Sequence, residues 1–159
     1  MRKLFWVSCL FFLAACSEAD TEEPYTVEDA KEDGHVIVEH QSEQFDQIKN
    51  GALEVENVKE MATFIKNVEQ GTEDDLDVSI FSPEGSHYQN SFSYDGEAIR
   101  FVNNYGAYPS SPAGTFDCEY VTRRGPMVYV SNCQSEEGKD LSTLLSFVGT
   151  EKAFREAAN

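Results

Sequence analysis

The chain has 159 residues, with 29 Asp and Glu against 12 Lys and Arg, a formal net charge of −17 at neutral pH. That length suits one domain with a real core rather than two. The charge argues against nucleic acid, whose phosphates need clustered Lys and Arg, and against lying flat on an anionic bilayer, which repels acidic segments within about 8 Å. It is also the charge that solubility in a salty or alkaline habitat would favour.

Arg2 and Lys3 open the chain, and an apolar run from Leu4 to Leu13, broken by Ser8, follows. A basic start and about ten apolar residues read as an export signal, since a spanning helix needs about 20. Leu13-Ala14-Ala15-Cys16 then matches the lipobox of bacterial lipoprotein precursors at all four positions. Cys9 competes poorly, with Trp6 where the motif has Leu. An ordinary secreted signal with a chance cysteine at its end is the alternative. Cleavage before Cys16 would place a diacylglyceryl thioether on its thiol and hold the protein on the extracytoplasmic face of the cell membrane. Two acyl chains anchor stably where one binds only marginally. Removing residues 1–15 takes away two bases and no acids, leaving 10 bases against 29 acids, or −19.

Residues 16–25 read as the lipidated cysteine and an acidic tether, and 26–159 as a single domain. The nine residues from Ser17 to Tyr25 reach at most about 30 Å. Thr26 with Asp29, and Gly34 as a stop, predict a short helix; His35 to Glu39 a short strand; Gln41 to Gly51 gives no clear pattern. Asn57 and Glu60 suggest a capping box, and Val58, Met61, Phe64, Ile65 and Val68 form one helical face ending at Gly71. Leu76, Val78 and Ile80 alternate as a strand. His87 to Tyr94 and Glu97 to Val102 flank Asp95-Gly96 as a tight hairpin, and Phe116 to Arg123 and Met127 to Cys133 flank Arg124-Gly125-Pro126 as a second. Leu141 to Val148 is apolar but ambiguous, and Thr150 to Ala158 suggests a last helix around Phe154.

With Cys9 removed and Cys16 lipidated, Cys118 and Cys133 are the one pair left in an exported protein, where disulfides persist. A turn centred on Gly125 and Pro126 places them face to face across the second hairpin.

Catalytic and cofactor signatures are weak. His35 and His40, five apart in a strand, fall on opposite faces and do not suggest a shared metal. The run Glu73-Asp74-Asp75-Leu76-Asp77 lacks the spacing and glycine of a calcium loop. Ser86-His87 is adjacency rather than a triad, and there is no Gly-x-Ser-x-Gly elbow, P-loop or dinucleotide fingerprint. No catalytic residue, metal or cofactor is therefore expected. The long segment Asn103 to Thr115 carries Tyr105 and Tyr108, which could stack on a sugar or peptide, or could instead cap the core.

The strand His35-Val36-Ile37-Val38, the helix from Phe64 to Gly71, Ser91-Phe92-Ser93-Tyr94-Asp95-Gly96 and the late cysteines together resemble a family of small lipoproteins of unknown function from Gram-positive spore-forming bacteria. That resemblance implies no activity.

The expected fold is α+β, a mainly antiparallel sheet of about five strands with the Asn57–Gln70 helix packed on one face. The expected function is a membrane-anchored, non-enzymatic binding module for an unidentified protein or cell-wall ligand. The alternatives are a small cell-envelope hydrolase using carboxylates, and an acidic inhibitor or self-protection protein. The anchor has a direct test. Cys16→Ala should abolish incorporation of labelled fatty acid and release the protein from membranes; unchanged labelling would refute the lipobox reading.

Overall fold

Residues 24–158 are described by a computed structural model, so the expected signal segment, Cys16 and most of the tether lie outside the described residues. Helix α1 (Val27–Glu32) starts at the box predicted for it: the Asp29 N–H donates to Thr26 Oγ1 and the Thr26 N–H donates to the Asp29 carboxylate. Strand β1 (Val36–His40) turns Val36 and Val38 to the main core and Ile37 to the opposite face, where α1 lies with Ala30 and Phe81. Helix α2 (Phe45–Lys49) occupies the stretch without a clear sequence pattern, and β2 (Leu53–Glu56) returns antiparallel to β1.

Helix α3 (Val58–Glu69) buries Val58, Met61 and Phe64, with Ile65 and Val68 packed at the edge of the same core. The capping box expected from Asn57 and Glu60 is absent. Asn57 stands at φ 55 and makes no side-chain cap; its Nδ2 donates to the His35 carbonyl at 3.0 Å. Asparagine tolerates this left-handed backbone, and its amide ties the helix start to the head of β1.

The chain then forms β3 (Asp74–Phe81), β4 (His87–Tyr94), β5 (Ile99–Asn103), β6 (Gly114–Arg124), β7 (Met127–Ser135) and β8 (Asp140–Val148), and closes with helix α4 (Glu151–Ala157). All eight strands belong to one sheet, ordered β2-β1-β3-β4-β5-β6-β7-β8. Neighbours are antiparallel except β1 and β3, which run parallel because β2 and α3 carry the chain back between them. The sheet curls into a half-barrel, and only 22% of the described residues are helical. This corrects the expectation of about five strands with one principal helix. Strand β2 has four residues, too few for a period of two to show. The last five residues of β8 are all buried and, Ser146 apart, apolar, so they show no alternation.

The β4–β5 link also departs from the two-residue hairpin read from Asp95-Gly96. Tyr94 pairs with Ile99, and in the intervening loop Asp95 Oδ1 accepts the N–H of Glu97 and of Ala98, each at 2.9 Å. These backbone donors hold the Asp95 carboxyl below its ordinary pKa.

The β6–β7 hairpin keeps its predicted register. Gly125 lies at φ 63 and Pro126 has its φ fixed near −65°, the signs of a type II′ turn. Arg124 therefore faces Met127 and Cys118 faces Cys133, and the two cysteines form a disulfide with Cα atoms 4.0 Å apart. Beyond it the burial pattern shifts by one position in both strands. Cys118 is followed inward by Val121, and Cys133 is preceded by Val130, with Asn132 at φ 54 between them. Closing a loop of 15 residues restricts the unfolded chain by about 3 kcal/mol. The oxidised domain should therefore resist guanidinium by about that margin over the reduced one. Equal unfolding midpoints would show that the bridge contributes nothing.

Candidate functional site

The loop between β5 and β6 turns its tyrosines inward. Tyr105 and Tyr108 are 8% and 3% exposed, so neither offers a ring face to a ligand. Both reach His40, which alternation along β1 directs into the core: Tyr105 Oη lies 3.2 Å from Nδ1 and Tyr108 Oη 3.0 Å from Nε2. A neutral imidazole has one donor and one acceptor nitrogen, so one tyrosine accepts from it and the other donates to it. Tyr88 and Phe45 pack edge-on against these rings.

Two asparagines fasten the loop. Asn103 Nδ2 donates to the carbonyls of Ser111 and Pro112, and Asn90 Oδ1 accepts the N–H groups of Asn104 and Tyr105. The loop is a plug in the half-barrel, held by side-chain amides where strand pairing stops. Burial pushes the His40 pKa from 6.5 down to about 4 and raises those of Tyr105 and Tyr108.

On the opposite face, under α1, His35 and His87 converge on Ser79. Ser79 Oγ lies 2.9 Å from His35 Nδ1 and 3.1 Å from His87 Nε2, and Asp77 is 3.8 Å from His35 Nε2. His35 and His40 do lie on opposite faces of β1; the histidine that joins His35 is His87. The parallel β1–β3 pairing makes that meeting, and nothing local in the sequence signals it. Residue types for acyl transfer are present, but the geometry closes them off. Ser79 has no exposed surface, and Tyr25 covers the cluster, its ring stacked 4.5 Å from that of His87 and its hydroxyl donating to Asp33 at 2.6 Å. Ser79 sits within the ladder of a central strand, pairing with both Ile37 and Gln89, so the sheet uses its backbone where an oxyanion hole would need free donors. Burial, then the neighbouring His35, lowers the His87 pKa.

The open feature is a groove across β6, β7 and β8, a cavity of about 830 Å³ lined by Asp117, Glu119, Asn132, Gln134, Asp140 and Ser142, with Cys118 and Cys133 beneath. Its carboxylates are held by neighbours. Asn132 Nδ2 donates to Glu119 at 3.0 Å, Gln134 Nε2 donates to Asp140 at 3.2 Å, and the Arg100 guanidinium stands 3.9 Å from Asp117. The groove was not foreseen, because cross-strand pairs such as Asp117 with Gln134 bring together residues far apart in sequence. Among the described residues no group of three His, Cys, Asp or Glu is placed to hold a metal ion. No helix there is long and apolar enough to cross a membrane. Searches of protein-family models, of curated proteins and of solved structures each find no match to the chain.

The buried imidazole sets a pH response. As pH falls below 6.5 the unfolded chain takes up a proton on residue 40, whereas the folded domain resists until about 4. Stability therefore drops across that window by about 3 kcal/mol at most, at 1.36 kcal/mol per pH unit, and His87 adds a loss of the same sign. Thermal melts from pH 7 to 4 should show this fall, and His40→Gln should flatten it; an unchanged slope in the variant would place its origin elsewhere.

Proposed function

We propose that this chain is a lipid-anchored extracytoplasmic binding module that presents the β6–β8 groove to a hydrogen-bonding ligand outside the cell. The groove carries this reading: it is an open cavity of about 830 Å³, and amide, hydroxyl and carboxylate groups line it. Wide, polar and braced by paired side chains on paired strands, it has the rigidity that recognition needs. The buried Ser79 cluster favours binding over catalysis. The anchor rests on the Leu13–Cys16 motif, and the Cys118–Cys133 disulfide suits an oxidising compartment. The likeness to small lipoproteins of spore-forming bacteria agrees with that placement and rests on the quoted motifs alone.

A comparison of the anchored protein with its Glu119→Gln/Asp140→Asn variant on a panel of cell-wall glycans and envelope proteins tests the reading. Retention of a ligand by the first and its loss by the second, with unchanged melting, is expected. Retention by both would remove the groove from the binding surface. Turnover of a glycan that Glu119→Gln abolishes would replace the reading with a carboxylate hydrolase. Binding that collapses with salt would point to a basic protein partner and the inhibitor role.

A further inference from the structure

Where β7 and β8 leave the groove, the surface changes character. A second cavity, of about 310 Å³, is lined by Phe45 and Lys49 of α2, Pro109 and Ser110 of the plug loop, and Met127, Tyr129, Thr143 and Leu145. Small-molecule pockets begin at about 300 Å³ and are largely apolar with a few placed polar groups, and this one fits both criteria. The strand residues come from one face, opposite the fully buried Val128, Val130, Leu144 and Phe147, so β7 and β8 are apolar on both sides here.

The charges at the rim are the unusual feature. In a chain of net charge −17, the one ionisable group in the lining other than the Tyr129 phenol is the Lys49 ammonium. A second cation stands beside two of the lining residues: Arg124 faces Met127 across the hairpin and holds its guanidinium 5.5 Å from the centre of the Tyr129 ring. Neither cation forms an ion pair among the described residues, although acids outnumber bases more than two to one in the chain. Two unpaired cations beside an apolar hollow complement a molecule with one anionic end and a short apolar body.

We propose that this pocket binds a small apolar carboxylate, its tail against Phe45, Met127 and Leu145 and its carboxylate toward Lys49 and Arg124. The proposal does not rest on the groove, which lies elsewhere on the sheet. The cavity volume sets the size limit, admitting a medium-length chain such as that of octanoate and leaving most of a long acyl chain outside.

Methionine methyl NMR reads the site directly, because Met127 lines the pocket while Met61 is wholly buried in the main core and serves as the internal reference. Octanoate, octylamine and acetate are the probes. Octanoate should shift the Met127 methyl saturably and leave Met61 in place. Acetate, without a tail, and octylamine, with the opposite charge, should each bind at least about tenfold more weakly. Lys49 is exposed and its replacement should not disturb the fold. Lys49→Gln should weaken octanoate about two- to fivefold, and adding Arg124→Gln about tenfold in all, the range for solvent-screened charge pairs. Leu145→Trp should fill the hollow and abolish the shift. The proposal fails if octanoate leaves Met127 unmoved, if octylamine binds equally well, or if the double variant binds octanoate as the native protein does.

Discussion

The contact between Phe64 and the concave face of the sheet is the one on which the rest depends. A flat antiparallel sheet exposes both faces, and one that curls must fill the hollow it makes. Here α3 fills it. The Phe64 ring lies 5.6 Å from that of Phe92, which stacks on Phe101, which in turn meets Phe116, so one helix side chain begins an aromatic row across β4, β5 and β6. Every member is at most 3% exposed. Emptying such a site costs about 3–5 kcal/mol, a large share of a small domain's stability. The curl also sets the two surfaces argued above, since it carries β7 and β8 far enough round for Met127 and Leu145 to stand beside α2.

Helix α3 does not reach the end of the half-barrel at His40, and polar chemistry completes the closure there. Tyr105 and Tyr108 supply apolar bulk, and His40 gives their hydroxyls partners that burial would otherwise deny them. Asn90 shows the cost of this solution: its Oδ1 serves two loop amides, while its buried Nδ2 has no hydrogen-bond partner among the described residues. The plug gives up one amide's hydrogen bonding to hold a long loop in one conformation. Two tyrosines that sequence alone marks as surface candidates thus become interior, while most of the loop around them stays exposed.

Much of the local structure was legible in the chain. The Thr26–Asp29 box, the Val58–Val68 stripe, the Leu76–Ile80 alternation and the Gly125-Pro126 turn each express an interaction between residues a few positions apart. The register that joins Cys118 to Cys133 follows from that turn. What escaped depends on longer reach. Strand β2 exists because β1 offers it a partner, β8 because β7 does, and the parallel β1–β3 pair exists because α3 spans the gap between antiparallel neighbours. Each candidate site depends on such pairings. His35 meets His87 through three strands, and the groove joins Asp117 to Asp140 through Gln134, so neither could be read from spacing along the chain.

The distribution of charge follows from the same architecture. Acids dominate the chain, and the exposed residues of β3 and β6 that alternate with the core bring Asp75, Asp117 and Glu119 to solvent. Such a surface repels anions at long range, within about a Debye length. An anionic ligand therefore needs a local reversal of sign, and the place where Lys49 and Arg124 flank an apolar hollow supplies one. A polar ligand in the groove meets the opposite condition, carboxylates already braced by amides and a guanidinium, where a hydroxyl or ammonium can be accepted without reorganising the wall. One curled sheet thus presents two environments of opposite electrostatic preference. The shift in alternation at Glu119 and Asn132 turns Tyr120 outward at 56% exposure.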